Sequence, residues 1–416
     1  MTNQRKTILH CDLNNFYASV EQKLHPEYDG LPLAVCGNPE VRHGIVLAKN
    51  QLAKQAGVQT GEAIWISKKK CPNIVFVAPH YNEYVKYSKI VYSIYTSFTD
   101  RVESFGIDEC WLDVTGSLGL FNMTGEELAN KIRETVKQKT GLTISVGVSF
   151  TKTLAKLGSD MKKPDAVTVL SPGDYMSKIG KMSPSEMIMI GRRTAQKLEA
   201  LNIRTIFDLA NADRALLRSH FGIVGENLIK SARGEGDDVV AKYYEHTTPK
   251  SISNGTTTPR DITSLDEATV VIYALTELVA VRLRSHNLLA NGVGIYLKNN
   301  QFDGISKQVP LKKATSNAST IAETAVAVVK EIYNFNLPLR AITVAAIRLT
   351  DETDSQISLF DDGSDEKEEK LEKSIDKIRG KYGYQTIKRG VVMKNNLTGN
   401  LHEDDDFRPF HQSKST

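Results

Sequence analysis

Residues 104–113 read Ser-Phe-Gly-Ile-Asp-Glu-Cys-Trp-Leu-Asp and place two adjacent carboxylates, Asp108 and Glu109, in an otherwise apolar stretch. A buried carboxylate is tolerated only when it is paired, hydrogen-bonded or bound to metal, and two side by side repel unless a cation neutralises both. In a regular strand they would point apart, so we expect a turn or bulge, which Gly106 permits. A third acid, Asp12, ends a similar stretch. Three acids on two strand ends predict a magnesium site, because hard divalent cations favour oxygen ligands.

The composition of the chain is typical of a soluble globular protein, with 416 residues of which 40% are hydrophobic and 25% charged. No apolar run approaches the ~20 residues of a membrane span, and no apolar signal core follows Met1, so we expect a cytoplasmic protein without membrane contact. The four cysteines form no Cys-x-x-Cys pair, which argues against a zinc or redox motif. Residues 351–416 hold 15 acids against 11 bases, so this tail is acidic. Because the whole chain has a net charge of +4, the body, residues 1–350, is mildly basic. Such a body is compatible with a phosphate-rich partner.

The pattern of strands and helices predicts an α+β multidomain fold. A strand before Asp12 leads into a helix, a hairpin carries Asp108, and strict apolar alternation marks a strand at residues 142–149. The order β, α, insertion, β-hairpin, α, β is that of a ferredoxin-like unit over residues 1–30 and 79–170. Residues 31–78 are expected to form a small inserted domain.

Residues 171–235 read as short helices around two glycine turns, at 190–193 and 221–225. Such turns present backbone N–H groups to phosphates, although an ordinary helical hairpin is the alternative. The nearby cations are Arg192, Arg193 and Lys197.

The polar connector at residues 236–250 is expected to be a tether to a second βαββαβ unit, residues 251–350, with the topology of the first. We expect strands at 251–259, 292–298, 305–311 and 340–349, and helices at 265–286 and 317–335. The strands carry cations that are candidates for following a phosphate backbone, namely Lys250, Arg260, Lys298, Lys307, Lys312, Lys313, Arg340 and Arg348.

Three segments taken together are specific: residues 11–21 (Cys-Asp-Leu-Asn-Asn-Phe-Tyr-Ala-Ser-Val-Glu), 107–115 (Ile-Asp-Glu-Cys-Trp-Leu-Asp-Val-Thr) and 151–157 (Thr-Lys-Thr-Leu-Ala-Lys-Leu). The chain resembles the Y-family of lesion-bypass DNA polymerases from residue 6 to about 360, closest to the branch typified by the catalytic subunit of bacterial polymerase V. The resemblance implies a palm (1–30 and 79–170), fingers (31–78), a helix-hairpin-helix thumb (171–235) and a little finger (251–350).

The resemblance also implies roles for the acidic residues. Asp12 and Asp108 would ligate two Mg²⁺ ions, Glu109 would join at the primer side, and the Leu13 carbonyl would help. Two ions clamp an in-line displacement, so primer-template DNA and dNTPs would react without a protein nucleophile.

Other positions are assigned by the same resemblance. Tyr17 would be the steric gate against ribonucleotides, and Lys156 would bind the triphosphate with a hydroxyl from Tyr84. Lys54 stands in place of a common arginine and lacks the bidentate fork, so the triphosphate grip is expected to be weaker or to use Lys49 instead. Met189 occupies a usual glycine position in the first thumb turn, which puts close backbone approach to DNA in doubt.

The acidic tail, residues 351–416, contains a peptide that resembles the sliding-clamp docking motif of bacterial polymerases, carried by Gln356, Leu359 and Phe360. An accessory subunit or a recombinase filament is a further possible partner. The resemblance implies an error-prone, template-directed polymerase for translesion synthesis. The alternatives are a palm-type nucleotidyl cyclase, which uses similar carboxylates on a similar sheet, and a DNA-binding scaffold without catalysis.

Overall fold

The computed structural model of the protein describes residues 5–37, 44–236, 239–245, 248–351, 364–383, 386–393 and 396–398. The strands are β1 (Ile8–Leu13), β2 (Leu33–Cys36), β3 (Val46–Lys49), β4 (Val75–Val77), β5 (Val102–Ser104), β6 (Glu109–Asp113), β7 (Ile144–Ser149), β8 (Val167–Val169), β9 (Ser251–Ile262), β10 (Leu288–Asn299), β11 (Gly304–Thr315) and β12 (Leu339–Asp351). The helices are α1 (Phe16–Leu24), α2 (Gln51–Gln55), α3 (Ile64–Lys70), α4 (Tyr81–Thr96), α5 (Leu118–Phe121), α6 (Gly125–Thr140), α7 (Lys152–Met161), α8 (Tyr175–Ile179), α9 (Arg192–Ala200), α10 (Ile206–Ala210), α11 (Arg214–Phe221), α12 (Ile223–Ala232), α13 (Leu265–Ser285), α14 (Ala318–Ile332) and α15 (Ser364–Tyr382).

The predicted palm is a five-stranded sheet in the order β5-β6-β1-β7-β8, which is the ferredoxin-like arrangement with β8 added parallel to β7. Buried side chains of α1, α4 and α6, among them Phe16, Tyr95 and Leu128, form the main core on one face. On the other face α7 packs closely at Gly147, where a Cβ atom would lie only 1.9 Å from the Ala155 carbonyl oxygen. This close approach brings the side chains of α7 to the end of β1 that carries Asp12.

Two further units flank this sheet along the chain. The residues predicted as fingers, 31–78, contain a three-stranded sheet in the order β3-β2-β4, together with α2 and α3. The residues predicted as the thumb, 171–235, contain α8–α12 around a shared apolar core. The exact limits of these domains stay a prediction.

The predicted little finger has the expected βαββαβ order of elements but not the topology that we expected. Its sheet runs β11-β10-β12-β9, so the first strand of the unit lies at an edge and the last lies between the first and second. In the palm the first strand is central instead. The prediction of a shared topology was therefore wrong, because element order along a chain does not determine where a returning strand inserts.

The connector is held on the palm rather than hanging as a free tether. The backbone N–H of Ala241 donates to the Glu103 carboxylate (2.9 Å), and Arg101 donates to the Val240 carbonyl (3.3 Å). Val240 is fully buried. The prediction of a tether is thus corrected for residues 239–245, because the Val240 side chain packs with Ile8, Trp111 and Ala155 of the palm.

Helix α15 packs against α13 through charged side chains. Arg284 of α13 donates to Asp376 (2.6 Å) and pairs with Glu372 (2.9 Å). Glu277, about two turns earlier on α13 and only 4% exposed, accepts from Arg379 and Arg389. A buried carboxylate held by two guanidinium groups is satisfied on both oxygens, so the last described helix is part of the little finger.

None of the described helices is long and apolar enough to cross a membrane.

Candidate active site

The three predicted acids, Asp12, Asp108 and Glu109, lie together where β1 ends and β6 begins. Asp12 lies directly opposite Glu109 across the two strands. Asp108 precedes β6 in a tight turn, closed by the N–H groups of Phe105 and Gly106, which both donate to the Glu109 carbonyl (2.9 and 3.3 Å). The N–H of Leu13 donates to the Asp108 carbonyl (3.0 Å). The expected turn is therefore confirmed, and it removes Asp108 from strand alternation.

The two neighbouring acids differ in their protonation. Burial, together with the charges of Asp12 and Glu109, raises the pKa of Asp108 to about 6. Burial also opposes ionisation of Glu109, but His10 and the ammonium group of Lys156 outweigh it and lower the pKa of Glu109 to about 2. Negative charge at the site therefore exceeds what the nearby cations neutralise, and Asp108 bears the excess.

Two lysines reach the carboxylates. The Nζ atom of Lys156 lies 3.2 Å from Asp12 Oδ2 and 3.0 Å from Glu109 Oε1. The Nζ atom of Lys163 lies 2.6 Å from the same Asp12 oxygen and 2.8 Å from Asp160. Burial opposes protonation of Lys156, yet the charges of Asp12 and Glu109 raise its pKa. Lys163 and Asp160 were not predicted. Asp160 lies four residues after Lys156 on the same face of α7, whereas Lys163 lies beyond the end of α7 at Met161, where helical spacing gives no signal.

His10 lies behind Glu109 and was also missed. It is fully buried, and its Nδ1 atom lies 2.8 Å from Ser159 Oγ. Because the Ser159 hydroxyl donates to the Lys156 carbonyl (2.7 Å), its oxygen accepts from His10. His10 Nε2 lies 3.4 Å from Glu109 Oε2, and neither atom has a hydrogen-bond partner among the described residues. The signal in the sequence was the period-two spacing of His10 and Asp12 on one strand face.

The donor chemistry of the site fits divalent cations. Asp12, Asp108 and Glu109 offer only oxygen atoms, which are the ligands that hard divalent cations prefer. In the described part of the chain, no three acidic, histidine or cysteine side chains converge closely enough to hold an ion as they stand. Ion binding at these residues stays a prediction.

Tyr17 lies beside the carboxylates, and a second aromatic ring packs against its own. Its ring stacks on that of Tyr84, with centroids 4.2 Å apart and planes inclined by 11°. Burial is the main cause that raises the pKa of Tyr17 to about 12, and the charge of Asp108 adds to it. Tyr84 is fully buried and its hydroxyl donates to Glu21. Support of Tyr17 therefore accounts for Tyr84 better than the predicted contact of its hydroxyl with the triphosphate.

On the fingers, Lys54 is exposed and Lys49 donates to the Thr60 hydroxyl (3.0 Å). Burial and the charge of Lys54 together lower the pKa of Lys49, so the two ammonium groups share one face. Contact of Lys54 with a triphosphate stays a prediction.

The predicted DNA contacts differ in how free their charges are. Arg192 and Arg193 are exposed in the first turn of α9, and Lys197 lies 6.0 Å from the Phe221 ring of the second glycine turn. This contact joins the last turn of α9 to the second glycine turn. Arg260 is instead paired with Glu267 at 2.7 Å, and its role on DNA stays a prediction.

Met189 adopts the backbone conformation that glycine would give. Its φ of +71° is left-handed, and its side chain is 80% exposed at the first thumb turn. A non-glycine residue in this region is strained, so the turn is kept in shape at a cost in stability.

Comparison with known proteins places the chain in a family. The model of the impB/mucB/samB family matches residues 11–160, and the model of its C-terminal domain matches residues 249–359. The chain belongs to this family of Y-family DNA polymerases. The DNA polymerase IV of Acetivibrio thermocellus is 45% identical over 392 residues, which cover 94% of this chain and 98% of the relative. DNA polymerase IV 1 of Bacillus subtilis is 30% identical over 398 residues, 95% of each chain.

Solved structures show the same fold. A Y-family DNA polymerase chimera, Dbh-Dpo4(243-245)-Dbh, superimposes with a TM-score of 0.74 at 24% identity and covers 83% of this chain and 99% of its own. The resemblance to Y-family polymerases is therefore confirmed, and the two relatives named above are called polymerase IV rather than polymerase V. The predicted clamp peptide, with Gln356, Leu359 and Phe360, lies outside the described residues.

Proposed function

We propose that this DNA-directed DNA polymerase copies damaged templates with low fidelity, by nucleotidyl transfer at two Mg²⁺ ions held by Asp12, Asp108, Glu109 and the Leu13 carbonyl. The convergence of three carboxylates from β1, β6 and the turn before β6 carries the proposal. Two such ions would activate the primer 3′-hydroxyl and neutralise the triphosphate and the leaving pyrophosphate.

The side chains around the carboxylates have complementary tasks. Lys156 and Lys163 carry the positive charge nearest to Asp12, and we infer that they bind the triphosphate once ions replace them on the carboxylates. Tyr17 stands next to Asp108 with its ring backed by Tyr84, so that a ribose 2′-hydroxyl would meet a surface that cannot yield.

The surrounding domains would hold the nucleic acid. Arg192, Arg193 and Lys197 are proposed to contact the phosphate backbone, together with Arg260 on the little finger. A sliding clamp is proposed to dock on Gln356, Leu359 and Phe360, in a cytoplasmic protein with no membrane partner. An accessory subunit or a recombinase filament would be a further partner.

Primer extension tests the proposal. The purified chain, with Mg²⁺ and dNTPs, should extend a primer past an abasic site as well as on an intact template, and Asp108→Asn should abolish both reactions. Extension that survives in the variant would refute the metal assignment. DNA binding without extension by the wild type would favour the scaffold, and a cyclic nucleotide formed from a nucleoside triphosphate alone would favour the cyclase.

A further inference from the structure

Trp65 stands out on the predicted fingers because its ring is turned to solvent. It lies on α3 with 63% of its surface exposed, whereas the second tryptophan of the chain, Trp111, is only 6% exposed. A large aromatic ring gains stability from burial, so a tryptophan that the described residues leave exposed is a candidate contact for a partner.

Two lysines share the helix face of Trp65. Lys68 and Lys69 follow it by three and four residues, which places all three side chains on one side of α3. Both lysines are exposed, and the Nζ atom of Lys69 lies 5.0 Å from the centre of the Trp65 ring. Lys70 points elsewhere and is paired with Glu62 at 2.6 Å. We name Trp65, Lys68 and Lys69 the Trp65 stripe.

The charge of the fingers narrows the choice of partner. Residues 31–78 contain six lysines and arginines but only two acids, both glutamates. A protein partner that covered the Trp65 ring would bury two ammonium groups with it. Unpaired nucleic acid offers base faces to stack on the ring and phosphates to neutralise the lysines, and a duplex offers no free base face.

We propose that the Trp65 stripe binds the unpaired template strand ahead of the catalytic carboxylates, with one base stacked on Trp65 and the flanking phosphates on Lys68 and Lys69. The inference rests on the proposed function, because a template-copying enzyme must receive a single strand beside its site. The fingers are packed on the palm core through Ala48 and Val77, which places α3 in the unit next to the site.

Fluorescence gives a direct test, since only one of the two tryptophans is exposed. Oligothymidylate of about 12 nucleotides should quench the emission of the wild-type chain, because a stacked base quenches an indole. The remaining emission of Trp65→Phe, which comes from buried Trp111, should not change. Equal quenching in both proteins would place the bound strand elsewhere.

Binding measurements give a second, independent test. We define the overhang gain as the ratio of Kd values for primer-templates with one unpaired template nucleotide and with about 12, measured without dNTPs. Trp65→Ala removes the stacking ring and should reduce this gain about tenfold, whereas Trp65→Phe keeps a ring and should keep most of the gain. K68A/K69A removes phosphate contacts and should reduce both the gain and its dependence on salt concentration. Leu120→Ala, which removes another apolar side chain that is 82% exposed, is the matched control and should keep the gain.

The outcomes separate this inference from the proposed function. If Trp65→Ala has the same overhang gain as the wild type, the Trp65 stripe does not bind the template strand. A protein partner would then be the better explanation of the exposed ring. A wild-type chain that showed the gain and the quenching but never extended a primer would contradict the proposed function alone.

Discussion

At the scale of single residues, Tyr17 owes its rigidity to what lies beneath it. The ring of Tyr84 supports it and is itself anchored by Glu21, a carboxylate that is fully buried and also accepts from His80 at 3.0 Å. The proposed gate can exclude a hydroxyl group only if its ring cannot move aside. The successive contacts of Tyr17 with Tyr84, of Tyr84 with Glu21 and of Glu21 with His80 hold the ring in place.

We therefore expect Tyr17→Ala to raise the relative kcat/KM for ribonucleotides by at least about tenfold, the scale at which a lost pocket contact changes discrimination. Tyr17→Phe keeps the ring and should keep the selectivity. Competing rNTP and dNTP incorporation on one template measures both. Unchanged sugar discrimination in Tyr17→Ala would remove the gate assignment.

Asp108 makes the ion-free protein less stable at neutral pH. Its folded pKa of about 6 lies above the ordinary value of 3.8, so the neutral form is favoured in the fold and its contribution is fully present only below the unfolded pKa. Above the folded pKa the ionised carboxylate is destabilising. Asp108→Asn should thus raise the free energy of unfolding at pH 7 by about 1–3 kcal/mol.

This advantage of the variant should shrink as the pH falls below 6 and vanish below the ordinary pKa of 3.8, where the wild-type carboxyl is protonated in both states. Chemical denaturation with EDTA at pH 7, 6 and 4 measures it. A difference that does not depend on pH would show that the effect is packing rather than charge.

At the scale of elements, local signals carried most of the prediction. A capping box of Thr124 and Glu127 starts α6, and Gly141, with φ of +71°, ends it, as the residue types indicated. What the sequence could not show was the pairing of distant charges. Lys163 reaches Asp12 across the chain, and Glu277 meets Arg389, 112 residues away, and neither contact leaves a local trace.

The Glu277 cluster should hold α15 in place. Burial disfavours its charge, but Arg389 and Arg379 outweigh this and lower the pKa of Glu277. Its stabilising effect is therefore present above the ordinary pKa of 4.5 and lost as the pH falls through the folded pKa. Glu277→Ala removes the carboxylate that both guanidinium groups share, although Arg389 keeps Glu372 and Arg379 keeps the Ile387 carbonyl, and should cost about 3 kcal/mol at pH 7.

Urea denaturation measures this loss. The surface pair of Lys307 and Glu331, in which Glu331 is 62% exposed, supplies the control, and Glu331→Ala should cost less than about 1 kcal/mol. Equal effects of the two variants would mean that α15 is not anchored through Glu277.

At the scale of the whole molecule, the connector ties the little finger to the palm. Glu103 accepts from the N–H of Ala241 and from Lys152 (2.6 Å), so the edge strand β5 and the start of α7 meet the connector at one side chain. The described part of the connector is therefore fixed on the palm at Glu103.

Deletion of residues 356–360 should abolish stimulation of synthesis by a sliding clamp and spare the basal reaction, because those residues lie outside every element that builds the catalytic site. Extension rates with and without a loaded clamp measure the difference. Stimulation that survives the deletion would rule out this peptide as the docking segment.

The anchoring of α15 has a topological consequence for any partner of residues 356–360. β12 ends at Asp351, and α15, which is held on α13 through Glu277, begins at Ser364. Both ends of the intervening segment are therefore attached to the same domain. Twelve residues reach at most about 40 Å, so a partner bound to residues 356–360 would stay within that distance of the little finger.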